Sequence, residues 1–131
     1  YPNMIIEGDS SALTADSPGH PHPRNFGWAV RALGKYVRQE RALTLGEAIR
    51  KMTSLPAQKL GIKDRGVIRE GMAADIMVFD PRTICDRATF EEPKQYPQGG
   101  HYVIVNGQIV VDQGEHTGLL PGRVLRHRKT E

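Results

Sequence analysis

The apolar positions of this chain fall into two textures. Between Phe26 and Leu55 they recur every three or four residues, and after Gly61 they gather in short β-branched runs. Phe26, Val30, Leu33 and Val37 form a stripe at the helical period, with Trp28 and Tyr36 beside it, and predict a helix over 26–40. A second helix starts at Thr44. The run Thr44-Leu45-Gly46-Glu47 is a capping box, in which the Thr hydroxyl accepts from the backbone three residues on and Glu47 reaches back. Ala48, Ile49, Met52 and Leu55 give that helix its buried face. Pro56 suits the first turn of a further short helix, which Gly61 ends.

The remaining apolar runs read as strands. Tyr1 to Ile6 is short and apolar and breaks at Glu7-Gly8-Asp9, a candidate buried strand. Asp75 to Asp80 is another, bounded by Pro81, and Val67-Ile68 is a short segment between Gly66 and Gly71. Tyr102–Val105 and Gln108–Val111 flank Asn106-Gly107, the strongest short-range hairpin signal, because a type I′ turn needs positive φ at both centres. Val103, Val105, Ile109 and Val111 should therefore lie on paired antiparallel strands. Ile104 and Val110 are also apolar, so both faces are expected to be covered. Residues 14–27, TADSPGHPHPRNFG, form a loop whose three prolines remove donors and fix φ. Loops of that length inside a compact domain are often functional. Residues 82–100 read as irregular.

Composition narrows the picture. The 131 residues, 38% of them apolar, suffice for one domain with a core. They are too few for a complete (β/α)8 barrel, which takes about 250. The net charge of +3 is carried entirely by Arg123, Arg126, Arg128, Lys129 and Glu131. The body of the chain is neutral, which argues against a nucleic-acid surface. No apolar run is long enough for a membrane-spanning helix, and the chain opens on Tyr1 without a basic-then-apolar leader. Cys85 is the single cysteine, which excludes an internal disulfide and fits a reducing compartment, the cytoplasm.

Several side chains could carry chemistry. Asp9 follows the first candidate strand, where barrel enzymes place catalytic groups, although an Asp after a Gly is more often a turn residue or a cap. His20 and His22 form an H-x-H, a metal-binding spacing on a strand. Here prolines make the segment a loop, and no neighbouring carboxylate or Cys completes a set. His101 and His116 flank the hairpin, and His127 belongs to the charged tail. Cys85 has only Arg87 nearby and lacks the activating base a nucleophile needs. Ser10 and Ser11 follow Asp9 without a nucleophile elbow. The glycines form no phosphate-binding loop.

Taken together, the motifs resemble the C-terminal part of the D-aminoacylases, the N-acyl-D-amino-acid deacylases of the amidohydrolase superfamily. The resemblance rests on MIIEGDSSAL, on HPRNFG with the helix to YVRQE, and on LTLGEAIRKMTSLPAQKLGIKDRG. It continues through IREGMAADIMVFDP, DRATFEEPKQYPQG and YVIVNGQIVVDQGEHTGLLPGRVLR. The GMAADIMVFD and VNGQIVV elements are widespread among amidohydrolases. The HPR loop, the ATFEEPKQYPQG run and the EHTG–PGR ending are specific to the D-aminoacylase branch.

The resemblance implies an α/β fragment: the last strand and helices of a metal-dependent (β/α)8 barrel, followed by the C-terminal half of a small β-sandwich. Residues 1–65 would end the barrel, with its last strand, catalytic-side loop and helices. Residues 66–131 would supply the sandwich strands and basic tail. It further implies zinc as cofactor, an N-acyl-D-amino acid as substrate, and Asp9 as the catalytic carboxylate contacting the metal or its bound water. His22 and Arg24 match the HPR loop, where Arg24 would meet a substrate carboxylate; the plainer reading is that both pin the loop. The EGDS around Asp9 departs from the usual SDG-S at Glu7 and Ser10. The remaining metal ligands would lie outside this segment, so the segment alone should be inactive and should self-associate through unpaired strand edges. No nucleic acid or membrane is implied. Two alternatives remain: an amidohydrolase acting on a cyclic amide, as hydantoinases do, and a stand-alone β-rich interaction module.

Overall fold

A computed structural model describes residues 1–126. The tail residues 127–131, with His127, Arg128, Lys129 and Glu131, lie outside the described residues. Helices fill the first half and an antiparallel sheet the second, as the two textures predict. Helix α1 (Arg24–Arg31) runs without interruption into a π-helical stretch, Ala32–Gln39. The single helix predicted from Phe26 thus changes pitch midway. Its wide turns end where Glu40 N–H donates to Lys35 C=O at 2.9 Å and Ala42 N–H to Tyr36 C=O at 2.8 Å.

Helix α2 (Leu45–Met52) starts where the capping box places it. Thr44 Oγ1 accepts from Glu47 N–H at 3.2 Å. The reciprocal half of the box is not made, because Glu47 turns outward to Arg50 Nε at 2.8 Å instead. Helix α3 (Ser54–Lys59) carries Pro56 in its first turn. It ends through Gly61, at φ +69°, with Ile62 N–H returning to Ala57 C=O.

Strands β1 (Ile76–Phe79), β2 (Gly100–Val105), β3 (Gln108–Asp112) and β4 (Glu115–His116) follow one another in an antiparallel meander. Asn106 and Gly107 have φ of +47° and +80°, the two positive values a type I′ turn requires. The ladder pairs Ile104 with Ile109 and Val103 with Val111, and a bulge lies between the pairs. Tyr102, Val103, Ile104 and Val105 are all half-buried, so neither face of β2 is open to water. Strand β4 was not expected. It follows a second two-residue turn in which Gln113 and Gly114 both take positive φ. Val67-Ile68 forms no strand.

Nor is Tyr1–Ile6 a strand. Among the described residues nothing pairs with it in a ladder, and a buried strand exists only by virtue of its neighbours. Its backbone groups are met by α2 instead. Lys51, 8% exposed, donates through Nζ to the carbonyls of Tyr1 at 2.6 Å, Pro2 at 3.2 Å and Met4 at 2.9 Å. Arg50 adds a bond to Pro2 C=O, and Ile6 N–H donates to Lys51 C=O.

The core joins the two halves. Val30, Leu33 and Ala48 pack with Ile84, which is 1% exposed, and Val37, Leu43, Ile49, Met52 and Phe79 surround them. Ile84 belongs to the irregular 82–100 segment, which crosses the helices as a strap. Gly34 permits the crossing, since a Cβ there would stand 2.8 Å from Ile84 C=O and 3.2 Å from Cys85 Cα. Arg38 Nη1 then donates to Ile84 C=O at 2.5 Å and to Pro81 C=O at 3.2 Å. At the turn end of the sheet, Arg65 bonds the Asp75 carboxylate and Asn106 Oδ1, and Asp75 accepts from Asn106 N–H at 2.7 Å. Burial pushes the Asp75 carboxyl up, but the Asn106 N–H and Arg65 outweigh it and hold it below its ordinary value.

Candidate active site

Residues 7–11 leave the first segment and meet the loop that leads into α1. Every tie between them is local in space and long in sequence. Arg24 Nε donates to Asp9 C=O at 2.6 Å, and Ser11 N–H donates to Asn25 Oδ1 at 2.8 Å. Ser10 Oγ reaches Arg24 C=O at 3.4 Å. The loop itself is locked by Arg24 N–H to His22 Nδ1 at 3.1 Å and Asn25 Nδ2 to His22 C=O at 2.8 Å. Gly8 lies flat against the Trp28 indole, where a Cβ would come within 2.4 Å of the ring. Asp9, His22 and Arg24, each singled out in the sequence, are therefore neighbours.

The Asp9 carboxylate is 96% exposed, and its nearest cation is Arg24 Nη2 at 4.0 Å. A pair that exposed contributes little to stability, so the contact orients rather than holds. A half-open cleft of about 720 Å³ opens beside it, lined by Glu7, His22, Arg24, Trp28, Phe90 and Glu91 among others. Asp9 does not line the cleft but joins it through Arg24. Also lining the cleft, Arg31 Nη1 bonds Asp86 Oδ2 at 2.8 Å, and that hydrogen bond raises the Arg31 guanidinium above its ordinary value. The walls thus combine aromatic surface with the carboxylates of Glu7, Asp86 and Glu91 and the guanidiniums of Arg24 and Arg31, a set suited to an amphipathic small molecule.

The other candidates separate from this group. His20 Nε2 is bonded to Phe90 C=O at 2.7 Å, while the His22 ring packs edge-on against the Phe90 ring at 5.0 Å. The H-x-H pair therefore grips one residue of the strap. His101 and His116 lie exposed on β2 and β4. Cys85 is half-buried and pairs through its backbone with Gln98. Among the described residues no three His, Cys, Asp or Glu side chains gather closely enough to hold a metal. A catalytic zinc takes about three protein ligands, so the donors among the described residues do not by themselves form such a site.

Phe90, Glu91 and Asp86 could not be read as site residues, because the strap that carries them has no periodicity. Asn25 and Trp28 could not either. Trp28 sits beside the helix stripe, and Asn25 lies within HPRNFG with no chemistry assigned to it there.

Comparison with known proteins gives this geometry its context. The amidohydrolase family profile matches residues 1–111. The chain is 48% identical over 107 residues to an N-acyl-D-glutamate deacylase of Alcaligenes xylosoxydans xylosoxydans, covering 82% of this chain and 22% of that one. It is 45% identical over 124 residues to a D-aminoacylase of the same organism, covering 95% and 25%. Its fold superimposes with a TM-score of 0.76 on an N-acyl-D-glutamate deacylase from Bordetella bronchiseptica, at 47% identity over 82% of this chain and 23% of that one. That crystal structure holds zinc and a phosphonate that mimics the reaction's tetrahedral intermediate. The chain spans about a quarter of the length of the relatives it matches.

Proposed function

The chain belongs to the amidohydrolase family, and on that premise we propose that it is the C-terminal section of a zinc-dependent hydrolase that splits N-acyl-D-amino acids into a carboxylate and a free D-amino acid. In this reading residues 1–65 close a (β/α)8 barrel with its last strand, catalytic-side loop and helices. Residues 66–131 supply one half of a small β-sandwich and the basic tail. Zinc would rest on ligands in the rest of the protein, where it would polarise the amide carbonyl and acidify the attacking water.

Asp9 is the proton carrier. Its carboxylate, held outward on a backbone that Arg24 fixes, takes the proton of the attacking water as the water oxygen bonds to the amide carbon. It returns that proton to the departing nitrogen as the C–N bond breaks. Arg24 presents its guanidinium to the substrate carboxylate, a group whose two oxygens match the fork, and His22 fixes the loop that carries Arg24. The observation that carries the reading is that Arg24 ties Asp9 to the edge of a cleft which His22 and Arg24 themselves line, in a chain so similar to deacylases of D-amino acids. A cytoplasmic setting accords with the free thiol of Cys85. Taken alone, the chain exposes strand edges and the cleft, and self-associates; light scattering reporting a monomer of 14.6 kDa would contradict this.

The test is an assay of the complete zinc-loaded protein on an N-acetyl-D-amino acid, its L isomer and a cyclic amide. The reading expects release of acetate from the D isomer alone. Hydrolysis of the cyclic amide with no action on the D isomer would replace it with a hydantoinase-type activity.

A further inference from the structure

The ties around Asp9 are not equal in kind. Arg24 lies in the cleft and belongs to the proposed substrate contacts. Asn25 does not line the cleft, yet its side chain has both ends engaged on the two loops that meet there. Its Oδ1 accepts from Ser11 N–H at 2.8 Å, two residues after Asp9. Its Nδ2 donates to His22 C=O at 2.8 Å, two residues before Arg24. On the near side of Asp9 the backbone is pinned by Gly8 against the Trp28 ring. Asp9 is thus held between two fixed points, and its own carboxylate, 96% exposed, has only the distant Arg24 contact to set its direction. A planar amide is one of few side chains that can do this, since the task needs an acceptor and a donor on opposite edges of one short group.

We infer that Asn25 is the positioning residue of the site, a clasp whose amide fixes the Asp9 loop against the His22–Arg24 loop and so sets where the Asp9 carboxylate stands. The inference rests on the reading of Asp9 as the proton carrier. Asn25 acts only through Asp9 and touches no substrate. A displacement of about 1 Å at a reacting group costs on the order of 10²-fold in rate, so a loosened Asp9 loop should show as lost turnover.

The experiment is a double-mutant cycle on the complete zinc-loaded protein, with Asn25→Ala, Asp9→Asn and the two combined, each checked for fold by circular dichroism and for zinc content. Asn25→Ala is expected to lower kcat about 10- to 100-fold while KM moves less than about threefold. Placed on the Asp9→Asn background, it should cost almost nothing further, because coupled groups are non-additive. An equal loss on both backgrounds would overturn the positioning role, since a merely structural defect acts whether or not Asp9 is present. A normal kcat for Asn25→Ala would overturn it too. A normal kcat for Asp9→Asn would instead defeat the underlying reading of Asp9, so the two failures are told apart. If Asn25→Ala does not fold, Asn25→Asp keeps the acceptor for Ser11 N–H and replaces the donor facing His22 C=O with a charged oxygen. Its loss must again vanish on the Asp9→Asn background.

Discussion

The N-terminal segment and the C-terminal sheet satisfy their backbones by opposite means. In the sheet, β2 and β3 close a ladder across a two-residue turn, and the backbone partners of this hairpin lie within about ten residues of one another. In Tyr1–Ile6, carbonyls of a segment with the apolar look of a strand are met by the side chains of Lys51 and Arg50, about fifty residues on. The first solution is local and depends on glycine and asparagine at positive φ. The second is long-range and depends on charge. A segment held by side chains can end in an exposed loop with a defined shape, which is what residues 7–11 supply to the cleft.

The largest expected effect comes from the residue that joins the helical half to the sheet-bearing half. Ile84→Ala should destabilise the chain by about 2–5 kcal/mol, because Ile84 fills the core between the helices and the strap. Urea unfolding at fixed protein concentration, followed by Trp28 fluorescence and by far-UV dichroism, should show both signals shifting together. If only the fluorescence shifts, the two regions are independent folding units.

Lys51→Met tests the charged solution. Hydrogen bonds to charged groups contribute about 1.5–3 kcal/mol each, but the carbonyls of Tyr1, Pro2 and Met4 lie near the surface and can turn to water. A loss of about 1–3 kcal/mol in all is expected. It should be read as faster hydrogen exchange at Ile6 N–H with the β2–β3 amides unchanged. Gly107→Ala tests the local solution. With φ at +80°, a Cβ costs about 1–2 kcal/mol, and exchange should now accelerate in β2 and β3 while Ile6 keeps its protection.

The smallest effect is a pH dependence. The hydrogen bond from Arg50 holds the Glu47 carboxyl at about 2, against an ordinary 4.5. A carboxylate with a depressed folded-state value stabilises fully above its unfolded value and loses that contribution as pH falls through the folded one. Glu47→Gln should therefore differ from the parent at neutral pH and converge with it between pH 4.5 and about 2. Convergence at neutral pH would show that the Glu47–Arg50 pair does not support α2.

These contrasts explain what could be read in advance. The hairpin, the capping threonine at Thr44 and the stop at Gly61 were legible because their causes lie within a few residues. The pitch change at Ala32 was not, because over eight residues an apolar stripe at the α period and one at the π period scarcely differ. Ile84 stands alone in an aperiodic run, so its burial has no local sign. Tyr1–Ile6 looks like a strand because apolarity records what a segment faces, while a ladder needs a neighbouring strand and none pairs with it among the described residues. At the proposed site, the resemblance named Asp9, His22 and Arg24, whereas Asn25 had no sign of its own in the sequence, because a clasp is defined by the two loops it joins.

The central claim is that Asp9 is the group that moves the proton. It is tested most directly by the turnover of Asp9→Asn in the complete protein, with fold and zinc content matched to the parent. The change keeps the size of the side chain and removes the proton acceptor. The account predicts a fall of about 10²–10⁴-fold in kcat. Near-normal turnover in the folded, zinc-loaded variant would contradict it and leave Asp9 as a turn residue.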